Sequence, residues 1–583
     1  MELLTTAIGK KMLKKPTVLL GEWCINSTQI NEQEFSHTVC KYHWEDRSKF
    51  LKDYEYIRET YYNFLDLLSR KLNELHNLDN SNRQWEIIIG PWLRTFISTL
   101  FDKYSSLKIA KDHYGAKTIL YFDTPKHGSP KNVKEFFKHV MTDSWSQEIY
   151  YEINQSIKLL ETNNAVIPGV SDIVKTKECF SYKNYIKNIL GKLNALLLRN
   201  NNTVFTQLDL GYKELVEISF KLSIFPTIFL PNRYKSMSEN IRSREIINLG
   251  DFENEFEDIC SKLIPKYIPR SYVEDFDAIN KLIREWYPKS PKKLVTTVGY
   301  YLDDVHKIWI SRLISNGTKY VINQHGGHFG TSLINDSEEL QLDTADYFTT
   351  WGWERSSFNG SAKIVPLPSL KLSKIKKRNK KYINRKRNGD NIIFPLSEWP
   401  KHAYRLYAAP VSSLQLKYFE EVFDFSGNLD SRLKKKLRFR NAPVSRGWDS
   451  KKRFFNKNLV NQYGTKNKTF VDDLFESSVA VINTNSTTIL ESFSLNIPTL
   501  IILDYDVWLP NEMAISDFNL LKDSQILFES SKDAAFWLNE NFDSLEEWWM
   551  EKERQELLNE FIKKYAYSSE DYLNQWKRFI NTI

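Results

Sequence analysis

The chain has 583 residues, 41% hydrophobic and 14% aromatic, with a net charge of +8. That is too long for one hydrophobic core, so two or more domains are expected. No run of about 18 apolar residues offers a membrane span, and the opening MELLTTAIGKKMLKKP lacks a signal-peptide core and cleavage site. Cys24, Cys40, Cys179 and Cys260 are widely spaced with no CxxC pair, which fits reduced cytosolic thiols better than a disulfide framework or a zinc site. The charge is concentrated in one place: Lys371 to Arg387 holds ten Lys/Arg and no acid. About −2 remains elsewhere, so nucleic-acid binding by the whole fold is not indicated. Two readings stand for this stretch: a solvated, mobile basic loop, or a contact with anionic lipid headgroups.

In chain order, a first strand is expected at 17–23, ending at Glu22, followed by a loop containing His43, Asp46 and Arg47. A long helix is predicted over 49–75 from the spacing of Tyr54, Ile57, Tyr61, Phe64 and Leu68. Another is predicted over 85–100, interrupted at Gly90-Pro91. TILYF at 118–122 reads as a strand closing on Asp123, and 134–160 as mostly helical. Strand-like runs follow at 204–208 and 227–230. A new α/β rhythm begins near Lys293: strand 294–298, helix 301–315, strand 319–323, strand 345–350, strand 391–395, and the strand LRFR at 437–440. The segment VAVINTNSTTILESFSLNIPTLIILD (479–504) reads as strand, tight turn, helix and strand, and 545–583 as a Trp-rich helical tail. Strands alternating with helices over this length predict an α/β protein with two parallel sheets.

Three places carry chemistry. At the strand-to-helix turn, Asn485, Ser486, Thr487 and Thr488 offer hydroxyls and an amide beside a helix start, where free N–H groups and the positive helix end attract phosphate. Glu491 lies just over one turn on, at the distance of a ribose. Gln324-His325-Gly326-Gly327-His328 follows a strand directly: glycines permit close backbone approach and positive φ, and a histidine supplies a proton donor or acceptor near neutral pH. Arg438 and Arg440 alternate on a strand, share a face and suit a diphosphate or a carboxylate. Glu22, His43, Asp46 and Asp123 are candidates for an opposing wall, one of the carboxylates serving as a base. DxD pairs at 275–277 and 504–506 are weak metal signals in a chain with 73 acidic residues. No GxSxG, Walker lysine motif or HExxH is present.

YHWEDRSKFLKDYEYIRETYY, IIIGPWL, YVINQHGGHFG, the TTWGW that follows and NTNSTTILESFSLNIPTLI together resemble a transferase family encoded in bacterial O-antigen and surface-polysaccharide loci. The resemblance runs from Gly21 to about Tyr565 and is similar in layout to GT-B glycosyltransferases. It implies a Rossmann-like acceptor domain over 1–285 and a Rossmann-like donor domain over 286–545. A cleft would lie between them, and a tail over 546–583 would return to the first. It implies a nucleotide sugar at Arg438, Arg440, Asn485, Ser486, Thr487, Thr488 and Glu491. Gln324, His325, Gly326, Gly327 and His328 would line the cleft. The N-terminal domain would supply His43, Arg47 and Asp123 for the acceptor and Glu22 or Asp46, facing His325, as the base. The STT-type helix start is similar to that of enzymes using CMP-activated keto-sugar acids, so a CMP-linked donor and a glycan or lipid-linked acceptor are expected. No metal or other cofactor is expected, and the location implied is the cytoplasm or the inner membrane face. A CDP-polyol-phosphate transferase of the teichoic-acid type and a non-catalytic nucleotide-binding scaffold are the alternatives.

Overall fold

A computed structural model describes the chain except for residues 10–12, 14–15, 26–36, 166–181, 199–200, 209, 228–229, 380–388, 443 and 460–467. The chain divides into two compact units, one of 1–321 with 343–346 and 400–406, the other of 322–342, 347–399 and 407–583.

The first unit contains a parallel sheet of β1 (Glu2–Leu4), β2 (Thr17–Leu19), β3 (Thr38–Val39), β4 (Thr118–Phe122) and β5 (Glu161–Ala165), in the order β3-β2-β1-β4-β5. Winding reverses between β1 and β4, the point where open α/β sheets bind ligands at their carboxyl ends. The sequence reading missed β1, β3 and β5, and the strand it placed at 17–23 is shorter: β2 stops at Leu19 and a 3₁₀ turn holds Glu22–Cys24. β5 (ETNNA) is polar and mostly exposed, so only its pairing with β4 makes it a strand.

Helices Arg47–His76 and Asn82–Tyr114 pack on each other in this unit. The second does not break at Gly90-Pro91. Nearly every residue from Trp85 to Ser106 is buried, and that burial outweighs the lost backbone bond, which costs about 3 kcal/mol. Asp304 anchors distant parts of the same unit. Its carboxylate accepts from the Val133 N–H (2.9 Å), the Ser271 hydroxyl (2.6 Å), the Tyr272 hydroxyl (2.8 Å) and the fully buried Lys307 ammonium (2.9 Å). Such contacts explain why the unit extends to Val321 rather than ending near 285: a boundary read from local rhythm is blind to them.

A further set of strands is divided between the units. β6 (Thr203–Thr206) and β7 (Lys293–Thr296) pair in parallel in the first, and β9 (Tyr347–Thr350) and β10 (Lys363–Pro366) in the second. β8 (Lys319–Asn323) contributes residues to each unit.

The second unit also holds a parallel sheet of β11 (Asn391–Pro395), β12 (Leu437–Arg440), β13 (Ser477–Ile482), β14 (Thr499–Ile502) and β15 (Leu527–Phe528), in the order β12-β11-β13-β14-β15. Winding reverses between β11 and β13, which end at Pro395 and Ile482, the kind of point where open α/β sheets bind ligands. The tail, expected to return to the first domain, belongs to this unit. Tyr567 exchanges backbone bonds with Trp351 and Ser369, and the Trp576 indole donates to the Pro368 carbonyl at 2.9 Å.

The basic stretch is not a free loop throughout. Leu370–Asn379 is a helix with Leu372 and Ile375 buried, and residues 380–388 lie outside the described part. Cys24, Cys40 and Cys260 are buried free thiols, while Cys179 is outside the described residues. Among the described residues, no helix is long and apolar enough to cross a membrane.

Candidate active site

β13 delivers its chain at the switch point of its sheet, and the helix Thr487–Ser494 starts there. Ser486 is the N-cap residue by position, yet its side chain caps no backbone N–H. Instead its hydroxyl shares hydrogen bonds with those of Thr484 (2.8 Å) and Thr488 (2.7 Å). A row of three hydroxyls therefore lies at a helix start whose first-turn amides receive no side-chain cap, an arrangement that favours an anion. Asn483, the last residue before the turn, is fully buried, and neither end of its amide finds a hydrogen-bond partner among the described residues. A buried unsatisfied amide is costly in a fold and calls for a bound group or water to satisfy it.

The QHGGH loop lies against this turn. The Gly327 N–H donates to the Thr487 hydroxyl at 3.1 Å, and the Asn485 amide donates to the Thr331 hydroxyl at 3.0 Å. Asn511 donates to the Gly330 carbonyl at 3.1 Å. His325 lies two residues before the glycine that bonds Thr487, half-buried, with its ring edge-on to Phe329 at 4.8 Å.

The glycines were expected to let the backbone approach a ligand and adopt positive φ. Neither Gly326 nor Gly327 has positive φ. A Cβ on Gly327 would lie 2.6 Å from the Ser486 carbonyl carbon and 2.7 Å from the Thr487 nitrogen, so the close approach made here is between two backbones. Gly327→Ala is expected to lower stability by about 1–3 kcal/mol, because no side chain can swing aside. Gly326→Ala meets side chains rather than backbone, the His328 ring at 2.8 Å and the Phe329 ring at 3.4 Å, and should cost less. Equal melting temperatures for the two variants would refute this account.

Several expected contacts are committed elsewhere. Gln324 is buried: its amide donates to the Gly326 carbonyl (2.8 Å), and its oxygen accepts from the Trp351 N–H (2.8 Å) and the Trp353 indole (2.9 Å). It clamps the loop to the WGW segment rather than facing a substrate. The Glu491 carboxylate pairs with Lys371 at 2.9 Å rather than standing open to a ribose. Arg440 pairs with Asp473 and donates to the Lys468 carbonyl at 2.9 Å. Arg438 donates to the Lys435 and Leu437 carbonyls at 2.7 and 2.8 Å. His328 packs on Phe329 and Tyr407.

Glu338 supports the loop from behind. It is fully buried and accepts from the Gly330 N–H (2.9 Å) and the Ser356 hydroxyl (2.7 Å). Burial pushes its carboxyl up to about 7, the two hydrogen bonds opposing. An acid raised above its unfolded value contributes stability that is present below about pH 4.5 and lost as pH rises through about 7. Glu338→Gln keeps an acceptor without the charge. The wild type should therefore lose roughly 2–3 kcal/mol relative to this variant between about pH 5 and pH 8. Parallel melting curves across that range would rule this out.

In the first unit, the Glu22–Cys24 turn closes over the carboxyl end of β1. The Trp23 indole donates to the Thr5 carbonyl at 2.9 Å, and the Cys24 thiol to the Leu4 carbonyl at 3.4 Å. Glu22 is half-buried beside this switch point, and Asp123 is exposed at the end of β4. The other expected residues make contacts within the unit. Asp46 is the N-cap of the helix Arg47–His76, accepting from the Lys49 N–H at 3.0 Å. His43 is 6% exposed, with Nε2 against Asp102 at 3.0 Å, so it lies behind the surface. The Arg47 guanidinium covers the Phe50 ring at 4.3 Å.

The sequence reading missed one cluster near the same strand ends. Asp143 accepts from Lys401 (2.7 Å) and faces His402 Nε2 (2.8 Å). Burial alone would raise the Asp143 carboxyl, but the hydrogen bonds and charges of His402 and Lys401 hold it down to about 2. Burial pushes His402 down to about 4. At neutral pH a carboxylate therefore binds a neutral imidazole and an ammonium. No local signal joins residues 258 and 259 positions apart.

No curated protein matches the chain. Among solved structures, it is similar to Acinetobacter baumannii MurG (10% identity, 80% of this chain and 100% of that one, TM-score 0.30). It is also similar to a variant of the wall teichoic acid polymerase TagF (12%, 69% and 98%, TM-score 0.33). A third is WaaG, a glycosyltransferase involved in lipopolysaccharide biosynthesis (7%, 65% and 99%, TM-score 0.28). At such scores none of these likenesses bears on the chemistry of this chain. A family model, in contrast, matches residues 1–580: the chain belongs to the LIC12162 family of transferases.

Proposed function

We propose that this transferase is a metal-independent glycosyltransferase of the GT-B kind, acting in the cytoplasm to build a bacterial surface polysaccharide. Its donor is a nucleotide-activated sugar, a CMP-linked keto-sugar acid, whose phosphate sits at the turn 484–488. The observation that carries this reading is the hydroxyl row Thr484–Ser486–Thr488 at an uncapped helix start on the switch point of a parallel sheet. His325 holds or protonates the departing phosphate, and Glu22 takes the proton of the acceptor hydroxyl. The donor's identity rests on the likeness of the STT turn to enzymes that use such sugars, and family membership supports group transfer.

The test has two steps. First, CMP, UDP, TDP and GDP are compared for the rise in melting temperature each produces, CMP being expected to give the largest. Second, Ser486→Ala is measured for affinity and stability together. A capping serine would cost about 1 kcal/mol of stability on removal, but this one caps nothing. Its loss should leave the melting temperature nearly unchanged while weakening nucleotide binding by about 1.5–3 kcal/mol, roughly 10- to 150-fold. Wild-type affinity by calorimetry would remove the phosphate from this turn.

A further inference from the structure

We infer that the second unit holds a cleft that binds a neutral saccharide, apart from the donor turn. The cleft has a volume of about 670 Å³, within the range of ligand pockets. It lies between the helices Glu512–Asp523 and Lys552–Tyr565 and the segment 352–355. Met513, Leu520, Leu557 and Phe561 give it an apolar wall, with Leu520 50% exposed. Another wall is set by backbone. Gly330 has φ +74°, and a Cβ there would lie 2.8 Å from the Trp353 ring. Gly352 has φ +124°, and a Cβ there would run into the Lys563 carbonyl oxygen. The Gly330 N–H donates to Glu338 at 2.9 Å and the Trp353 indole to Gln324 at 2.9 Å, so this wall is held in place before any ligand arrives.

The polar groups of the cleft select the occupant. Asp517 accepts from the Lys564 ammonium (2.5 Å) and the Tyr565 hydroxyl (2.6 Å), both at Oδ2. Its Oδ1 has no hydrogen-bond partner among the described residues, and its side chain is 21% exposed. Arg355 is exposed on the rim, likewise without a partner among the described residues. The lining is balanced in charge: Glu354, Asp517 and Glu560 against Arg355, Lys563 and Lys564. An ionic ligand of either sign would meet its own charge as well as the opposite one. An apolar chain would cover Asp517 Oδ1 and leave it unsatisfied. A sugar suits all three features. Its hydroxyls donate and accept in turn, so one reaches Asp517 Oδ1 and another takes an N–H from Arg355, while a C–H face lies on the apolar wall. No residue of the turn 484–488 lines the cleft, so this site does not depend on the reading of the reaction.

The experiment is calorimetry on the full chain with a panel of neutral disaccharides of gluco, galacto, manno and N-acetylated units. Disaccharides of glucuronic acid and of glucosamine serve as the acidic and basic counterparts. At least one neutral disaccharide is expected to bind at a single site per chain, more tightly than either charged counterpart. Arg355→Ala and Asp517→Asn should each weaken that binding by about tenfold or more. Arg355 is exposed, so its replacement should leave the melting temperature unchanged. If Asp517→Asn lowers the melting temperature, Arg355→Ala alone decides. The inference is overturned if no neutral disaccharide of the panel binds, or if a charged counterpart binds more tightly than all of them. It is equally overturned if a variant with the wild-type melting temperature binds the sugar as the wild type does, which would place the sugar outside this cleft.

Discussion

His325→Ala is expected to lower turnover in the proposed sugar transfer by about 10²–10⁴, the usual loss on removing a group that moves a proton in the transition state. The histidine follows β8 and precedes the glycine whose N–H donates to Thr487 at 3.1 Å. Its position is therefore fixed relative to the helix start without its own ring being part of that contact. Phe329, edge-on at 4.8 Å, supports the ring. Removing the imidazole should leave the Gly327–Thr487 contact and the melting temperature nearly intact, with nucleotide affinity changed only a few-fold. His325→Gln separates two roles. If the ring only donates a hydrogen bond to the departing phosphate, glutamine restores much of the rate. If it transfers a proton, glutamine is as slow as alanine. Wild-type turnover in both variants would dismiss His325 from the reaction. Loss of rate together with a large fall in melting temperature would make it a structural residue.

Asp304→Ala is expected to destabilise the first unit by about 3–5 kcal/mol, the cost of leaving a buried charge without its partner. Asp304 is 4% exposed and Lys307 is fully buried. Lys307 also donates to the Tyr272 hydroxyl at 2.7 Å, and its pKa is already lowered, chiefly by burial. The carboxylate further satisfies the Val133 N–H and the Ser271 hydroxyl, so one substitution leaves several buried donors unmet. Combining Asp304→Ala with Lys307→Met removes the orphaned ammonium and should recover part of the loss. Urea denaturation of the single and double variants measures both effects. A loss under about 1 kcal/mol in the single variant would show that the site relaxes or hydrates.

By itself, the sequence determined those elements whose signal lies within one turn or one strand. Apolar spacing marked the helix Arg47–His76 to within two residues. β4, β8, β11 and β12 have the bounds read for them, because short apolar runs between turn residues need no distant partner to be recognised. The turn at 483–488 was legible for the same reason: hydroxyl residues between a buried strand and an amphipathic helix make a local pattern. Tertiary structure alone decided which side chains remain available at that turn. Arg440 is taken by Asp473, Glu491 by Lys371, and Gln324 by Trp351 and Trp353, since the nearest opposite charge or free amide depends on which segments the sheet brings together. It also decided that β1, β3 and β5, of two to five residues each, are strands at all. Segments that short gain their hydrogen bonds only from neighbouring strands. The cluster of Asp143 with Lys401 and His402 was decided in the same way. Its partners come from segments more than 250 residues apart, and only packing of the first unit supplies the burial that shifts both titrating groups.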